Sequence, residues 1–206
     1  MKESILPQRP PRGRVAFGMC GSFCTFGAAV PQAKRLTQLG WELVPVMSFA
    51  AAGLDTRFGR AERWREELAQ ICGAPVRASL AAVEPLGPAH EAQALVIAPC
   101  TGATLAKLAA GISDTPITLA AKSLLRVGCP VVLAVSTNDG LAASGENIAR
   151  LMQRKHYYFV PFAQDDPQNK PQSLKADLNL LPEALAAALE GRQLQPVLLQ
   201  RPLAGG

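Results

Sequence analysis

The stretch at residues 94–115, near the middle of the chain, reads ALVIAPCTGATLAKLAAGISDT and carries the clearest signal of the fold class. Its first part, 94–100, is fully apolar, which is typical of a parallel strand buried on both faces. A turn of small residues follows, and a short helical pattern then ends at Gly111, where a glycine can close a helix. The stretch therefore predicts a strand, a tight turn and a helix, the repeating unit of an α/β sheet.

The same alternation extends to both ends of the chain. Short apolar runs predict further strands at 14–22, 41–48, 130–137 and 157–164. Helical spacing predicts helices at 25–39, 61–72, 103–111, 115–128, 144–155 and 181–191. Ser144 is the predicted cap of its helix, and Pro45 places its strand at a sheet edge or its residue near a strand end.

This pattern predicts a single three-layer Rossmann-like or flavodoxin-like domain, with a mostly parallel sheet flanked by helices, over residues 14–206. The preceding segment, 1–13, is basic and rich in proline and is expected to be a flexible arm. The order of the strands cannot be read from the pattern.

Composition bounds the function classes. The chain has 206 residues, 49% of them hydrophobic, and a formal net charge of +5. The basic residues are scattered, so a nucleic-acid partner is not expected, and no apolar run is long enough to cross a membrane. No secretory signal is recognisable, and the five cysteines lack the spacing of a zinc site. We therefore expect a cytoplasmic protein with free thiols and no bound metal.

Four of the predicted strands end in small or hydroxylated residues. Ligands of such sheets bind beyond the carboxyl ends of the strands, and hydroxyls with free backbone N–H groups suit a phosphate. One such turn alone would be explained by helix capping, but four together favour a ligand with a phosphate and a flat ring. The candidate cofactor-binding residues are Gly21, Ser22, Phe23, Ser48, Thr101, Gly102, Ala103, Thr104, Ser136, Thr137 and Asn138.

The type of ligand follows from the motifs that the sequence lacks. It contains neither a G-x-G-x-x-G dinucleotide fingerprint nor a G-x-x-x-x-G-K-[ST] phosphate loop. A mononucleotide such as FMN therefore fits better than a dinucleotide or a nucleoside triphosphate. We expect its phosphate near Gly21, Ser22 and Ser48, and its ring between the turns at 101–104 and 136–138.

The segment 98–114 resembles the third-strand motif of the flavoprotein superfamily of homo-oligomeric flavin-containing cysteine decarboxylases. The pattern is roughly A-P-x-T-x-N-T-x-x-K-x-A-x-G-x-x-D, and the matching residues are Pro99, Thr101, Thr104, Lys107, Ala109, Gly111 and Asp114. Two positions differ: Ala103 stands where the motif has an asparagine that contacts the flavin ring, and Glu84-Pro85 stands where the decarboxylases have a histidine. Cysteine decarboxylation is therefore not expected.

A narrower resemblance covers nearly the whole chain from Arg14 on. The matching segments are PQAKRLTQLGWELVPVMS, TRFG, VEPLGP, AAKSLLR, VSTNDGL, PFAQDDPQNKPQSLKADLNLLPEAL and QLQPVL. They resemble the B subunits of two-subunit enzymes that oxidise dihydrodipicolinate in the mother cell of sporulating bacteria. The resemblance implies an FMN-type flavoprotein fold, a homo-oligomer, and a separate A subunit that carries NAD(P).

A doubly charged substrate needs cationic groups, and the candidates beside the predicted site are Arg57, Lys107 and Lys170. No catalytic residue is assigned: His90 is expected at the surface, His156 at a helix end, where a cation suits the helix dipole, and Cys20 and Cys100 in the interior.

The polar cluster of Asp165, Asp166, Asn169 and Lys170 is either a solvated loop or a lid or partner-contact loop. Two alternative functions stay open at this stage: an autonomous FMN-dependent oxidoreductase or decarboxylase, and a non-catalytic scaffold that retains the pocket.

Overall fold

A computed structural model describes residues 12–200 of the chain. The first strand already begins at Gly13, and Arg12 donates its backbone N–H to the carbonyl of Gly40. The rest of the predicted arm, 1–11, lies outside the described residues, as does 201–206.

The described residues form seven strands and eight α-helices. The strands are β1 Gly13–Met19, β2 Trp41–Met47, β3 Leu95–Cys100, β4 Val131–Thr137, β5 Tyr157–Phe159, β6 Phe162–Asp166 and β7 Lys170–Ala176. The helices are α1 Phe26–Gln38, α2 Phe49–Gly53, α3 Ala61–Cys72, α4 Leu80–Val83, α5 Gly102–Ala110, α6 Pro116–Leu125, α7 Ala143–Met152 and α8 Leu181–Leu189.

The strands form one mixed sheet in the order β2-β1-β3-β4-β7-β6, with β5 also paired to β4. The pairs among β2, β1, β3, β4 and β5 are parallel, and those of β7 with β4 and β6 are antiparallel. The predicted fold class, a three-layer α/β domain with a mostly parallel sheet, is confirmed. The connection after β1 runs to β2 on one side, and the connection after β3 runs to β4 on the other, so a crevice opens between the carboxyl ends of β1 and β3, where sheets of this type bind ligands.

The central strands are apolar because both faces of the sheet are covered by helices. Every residue of β3 is buried, and so are the last five residues of β1. On one side, Phe26 of α1 meets Trp64 of α3 edge to face, with ring centroids 5.5 Å apart. Such an aromatic pair stabilises the packing of the two helices beyond the area that it buries.

Pro45 occupies the edge strand β2, as its missing N–H group requires. Its carbonyl accepts a hydrogen bond from the backbone N–H of Arg77, on the side away from β1. Because the nitrogen and carbonyl of one strand residue face the same side, the proline leaves no gap in the ladder with β1.

The predicted strand at 157–164 is wrong in its extent. It ends at Phe159, bends through Val160 and Pro161, and resumes as β6, which pairs with β7 in an antiparallel hairpin. The region predicted as a loop after the fifth strand is therefore this β6–β7 hairpin. Its sequence, QDDPQNKPQS, is polar and holds two prolines, so neither apolar alternation nor β propensity indicated a strand.

The predicted cap of the seventh helix is also wrong. The helix begins at Ala143, so Ser144 lies inside its first turn, where it is buried. The Ser144 side chain instead forms a hydrogen bond with Asp139 in the preceding turn. The helix ends at Met152, three residues before the predicted end.

The C-terminal segment after α8 covers the exposed edge of β5 and β6. The side-chain amide of Gln193 accepts a hydrogen bond from the N–H of Phe159 and donates one to its carbonyl, both at 2.7 Å. Phe162 then pairs with Val197 and Leu199 through backbone hydrogen bonds. Because the backbone N–H and carbonyl groups of Phe159 and Phe162 have these partners, the edge is protected from pairing with another chain.

Gly140, in the turn between β4 and α7, lies directly against the hairpin. A Cβ atom there would come within 2.6 Å of the Cβ and Cγ atoms of Leu174 on β7. The Gly140→Ala substitution should therefore lower the free energy of unfolding by about 1–3 kcal/mol, as overpacking does. Urea unfolding followed by circular dichroism measures this change.

The matched control is Gly27→Ala in α1, where an added Cβ has nothing within 4 Å. This variant should be as stable as the wild type or slightly more so, because alanine favours a helix over glycine. Equal midpoints for the two variants would contradict the close packing of the hairpin on the β4–α7 turn.

Candidate functional site

A cleft of about 860 Å³ opens at the carboxyl ends of β1, β3 and β4, beside the β6–β7 hairpin. Its size is within the range of small-molecule and cofactor sites, about 300–1,000 Å³. The lining residues are Gly21, Ser22, Phe23, Cys24, Thr25, Arg57, Phe58, Thr101, Gly102, Ser136, Thr137, Asn138, Asp165, Asp166, Lys170, Ser173, Leu174 and Lys175.

Three hydroxyl groups meet in this cleft, from Ser22, Thr25 and Ser136, which we call the hydroxyl cluster. The Oγ of Ser136 lies 2.8 Å from the Oγ of Ser22 and 2.8 Å from the Oγ1 of Thr25, and the latter two atoms are 3.3 Å apart. A hydroxyl both donates and accepts, and its proton can rotate to suit a new partner. The hydroxyl cluster can therefore turn its donors towards an anion without moving a heavy atom.

The turn after β3 is built by Thr101 and Thr104. Thr101 caps α5 by accepting a hydrogen bond from the N–H of Thr104. The buried hydroxyl of Thr104 lies 3.0 Å from that of Thr101 and donates to the Sγ of Cys20 at 3.2 Å. Thr104 thus holds the turn from its buried side, and Thr101 faces the cleft.

Gly102 allows α5 to approach the end of β4 closely. A Cβ atom on this residue would lie 2.5 Å from the Oγ of Ser144, 2.7 Å from the Oγ1 of Thr137 and 2.9 Å from Asp139. The absence of a side chain at Gly102 is therefore a requirement of the packing, whatever the ligand.

Asp139 holds the turn that follows β4. Its carboxylate accepts a hydrogen bond from the hydroxyl of Thr137, which lowers its pKa, and a second one from Ser144 lowers it further. The ionised carboxylate thus ties the last residue of β4 to the first turn of α7. No role was predicted for this residue from the sequence, although the T-N-D-G run is a recognisable turn signal.

The rim of the cleft is ionic. Arg57 stacks over the ring of Phe58, with its guanidinium carbon 4.9 Å from the ring centroid. On the hairpin, the Nζ of Lys170 lies 3.2 Å from a carboxylate oxygen of Asp165.

The hairpin turn accounts for the rest of the polar cluster noted in the sequence. Asp166 accepts hydrogen bonds from the backbone and side-chain nitrogens of Asn169, and this bonding lowers the pKa of its carboxyl. Asp166 and Asn169 therefore stabilise the turn between β6 and β7.

The structure brings most of the predicted site residues together. Those that line the cleft are Gly21, Ser22, Phe23, Thr101, Gly102, Ser136, Thr137, Asn138, Arg57 and Lys170. Ser48, Ala103 and Thr104 do not line it. Ser48 instead caps α2 by accepting from the N–H of Ala51, and Ala103 is exposed on the first turn of α5.

Lys107 does not line the cleft either. It lies on α5 and pairs with Asp114, with its Nζ 2.7 Å from one carboxylate oxygen and 2.8 Å from the other. This bidentate contact joins the end of α5 to the loop before α6, so Lys107 serves the packing of these helices. Glu84, at the position of the decarboxylase histidine, is in a short 3₁₀ turn and is also outside the cleft lining.

The lining residues that sequence reasoning missed are Cys24, Thr25, Phe58, Ser173, Leu174 and Lys175. Thr25 had a readable signal, since it follows Ser22 in the same turn, but it was interpreted only as the start of a helix. The last three lie on β7, the strand that was not predicted.

The five cysteines are free thiols that differ in exposure. Cys20 is buried under the cleft, and burial raises its pKa to about 11; burial also raises the pKa of Cys100. Cys24 is exposed and lines the cleft. His90 is exposed, as predicted, and His156, which follows α7, is exposed as well. Among the described residues, no helix is long and apolar enough to span a membrane.

Comparison with known proteins gives a consistent result. The family model described as Flavoprotein matches residues 7–172, more than half of the chain. The B subunit of dipicolinate synthase from Bacillus subtilis (strain 168) is 42% identical over 187 residues, which are 91% of this chain and 94% of the relative. The chain therefore belongs to the flavoprotein family.

Solved structures support the same assignment. The B subunit of dipicolinate synthase from Bacillus halodurans C is 43% identical, with a TM-score of 0.85, and the match covers 93% of this chain and 98% of that one. An FMN-dependent cysteine decarboxylase, SpaF, is 24% identical with a TM-score of 0.63, over 86% of this chain and 97% of that one. At that identity the second similarity concerns the fold alone.

The different exposure of the five thiols allows a test of whether Cys24 lies in an open cleft. At pH 8, a disulfide reagent such as dithiobis(nitrobenzoate) should react rapidly with one thiol per chain, Cys24, because thiolates are the reactive species and burial disfavours them. The Cys24→Ser variant should lose the rapid phase, and Cys72→Ser should keep it, since burial raises the pKa of Cys72 to about 12. A rapid phase that survives in Cys24→Ser would contradict the placement of Cys24 in an open cleft.

Proposed function

We propose that this member of the flavoprotein family is the B subunit of a dipicolinate synthase, which holds FMN in the cleft and oxidises dihydrodipicolinate together with an NAD(P)-binding A subunit. The observation that carries the proposal is the similarity to the B subunits of dipicolinate synthase from two Bacillus species, at 42% and 43% identity and over more than nine-tenths of the chain. A cleft formed at the predicted strand ends supports it.

The residues of the cleft fit the phosphate end of FMN. The hydroxyl cluster offers three hydroxyl groups, and no carboxylate is among its members. Hydroxyls and backbone N–H groups at strand ends are the donors that a phosphate requires. Ala103 supplies no polar side chain for the ring, so the turns at Thr101 and Asn138 would hold the ring mainly through their backbones and small side chains.

Bound FMN would supply a group able to accept or pass on the electrons of a hydride. The chain's own residues would bind and orient the cofactor and the substrate. The hydroxyl cluster would hold the phosphate, and Arg57 or Lys170 on the rim would contact a carboxylate of dihydrodipicolinate. The hairpin, with Asp165 and Lys170 paired at its surface, would limit access of water from that side.

Oxidation of dihydrodipicolinate to dipicolinate removes two hydrogen atoms, as a hydride and a proton. The final hydride acceptor would be NAD or NADP on the A subunit, since this sequence has no dinucleotide fingerprint. The β6–β7 hairpin is our candidate contact with that partner, because it is polar and projects beside the cleft. The protein would work as a homo-oligomer in the cytoplasm of a sporulating mother cell.

The placement of the phosphate is tested by Ser22→Glu. A carboxylate at this position would repel the phosphate and should weaken FMN binding about tenfold or more, which corresponds to a loss of roughly 1.4 kcal/mol. Flavin fluorescence quenching or calorimetry measures the affinity, and circular dichroism checks the fold.

Two controls accompany this variant. Gln70→Glu adds the same charge at an exposed position of α3 and should leave the affinity unchanged. Riboflavin, which lacks the phosphate, should bind Ser22→Glu and the wild type equally if it binds at all. An unchanged FMN affinity in Ser22→Glu would contradict the placement of the phosphate.

The division of labour between two subunits is tested by turnover of dihydrodipicolinate with NAD or NADP. We expect the mixture of this chain with the A subunit to be fully active, and neither protein alone to be so. Full activity of the isolated chain would favour the autonomous oxidoreductase. Activity of the A subunit that is unaffected by this chain would favour the non-catalytic scaffold.

A further inference from the structure

Lys175 is a cation at the inner end of the hairpin. It lies on β7, where it is in register with Ser136 on β4 and with Ala163 on β6. It lines the cleft and is partly buried. Its strand neighbour Ser136 is the central member of the hydroxyl cluster, bonded to both other hydroxyls at 2.8 Å.

The other lysines considered for ligand binding already have acidic partners. Lys170 pairs with Asp165 at 3.2 Å, and Lys107 pairs with Asp114 at 2.7 Å. Among the ion pairs of residues 12–200, none includes Lys175.

The carboxylates of the cleft are engaged elsewhere. Asp165 pairs with Lys170, and Asp166 accepts three hydrogen bonds from Asn169 in the hairpin turn. Within the described part of the chain, Lys175 is therefore a partly buried lysine that lines the cleft, lies opposite Ser136 in the strand register and takes part in no ion pair. Removing a charge from water is costly without a partner, so an arrangement of this kind favours binding an anion.

We propose that Lys175, together with the hydroxyl cluster, binds an oxyanion of the ligand. The inference rests on the proposed function, in which the ligands are FMN and a pyridine dicarboxylate. An ammonium that donates to an oxyanion forms a charge-assisted hydrogen bond, roughly twice as strong as a neutral one.

Two oxyanions could occupy this position, the phosphate of FMN and a carboxylate of the substrate. The probes that separate them are FMN, riboflavin and pyridine-2,6-dicarboxylate, the product of the proposed reaction. Loss of affinity for FMN but not for riboflavin would assign Lys175 to the phosphate. Loss of affinity for pyridine-2,6-dicarboxylate alone would assign it to the carboxylate.

The test compares Lys175→Gln, Lys175→Met and Lys175→Arg with the wild type by calorimetry. Both variants without a charge should lose about tenfold or more in affinity for one of the two anionic probes, as expected for the loss of one charge-assisted hydrogen bond. Lys175→Arg should recover most of the affinity because it keeps the charge. Circular dichroism and thermal unfolding report whether each variant is folded.

The matched control is Lys122→Gln, which removes the same charge from an exposed position of α6 and should leave all affinities unchanged. Affinities for both anionic probes within twofold of the wild type in folded Lys175→Gln or Lys175→Met would overturn the inference. An equal loss of affinity in Lys122→Gln would also overturn it, because the loss would then follow from the change in net charge alone. Failure of the wild-type chain to bind FMN would contradict the proposed cofactor, and binding of the dicarboxylate would then decide the role of Lys175.

Discussion

Parallel pairing of β1, β3 and β4 is the constraint on which the site depends. Parallel strands end at the same edge of a sheet, so the turns that follow them meet although they are far apart in the chain. Ser22 and Ser136 are 114 residues apart and their hydroxyls are 2.8 Å apart. The strands are apolar on both faces because helices cover both sides of the sheet, as is usual where helices connect parallel strands.

The antiparallel β6–β7 hairpin adds a wall to the cleft at the edge of the sheet. Strand β7 pairs with the last two residues of β4, Ser136 and Thr137, and therefore extends one wall of the cleft beyond the ends of the parallel strands. The floor thus carries neutral hydroxyls, whereas the wall and rim carry charges from Lys170, Lys175 and Arg57. This separation suits the two proposed ligands, because the phosphate of FMN and the two carboxylates of dihydrodipicolinate would have to be held apart.

Sequence reasoning predicted the parallel part of the fold because each strand there has a strong local signal. The run 94–100 is fully apolar, and Gly111 closes the next helix in the left-handed conformation. It predicted the turn residues of the site for the same reason. The strand order could not be predicted from the sequence, since it depends on long-range packing that no local pattern records.

The hairpin was missed for a different physical reason. Its outer residues, 164–172, are polar apart from two prolines and are partly or fully exposed, and a strand stabilised by pairing with β4 needs no apolar alternation of its own. Lys175 was therefore not recognised as a site residue, and Ser144 was interpreted as a cap although it bonds to Asp139 inside the fold. Lys107 was assigned to the substrate because spacing alone could not reveal its pairing with Asp114.

The hydroxyl cluster is central to the proposed function, because it is where we expect the phosphate of a flavin to bind. A crystal structure of the chain grown with FMN tests that placement most directly. We predict the phosphate within hydrogen-bond distance of the hydroxyls of Ser22, Thr25 and Ser136, with the ring towards Thr101 and Asn138. A phosphate bound away from all three hydroxyls, or a ring outside the cleft, would contradict the placement.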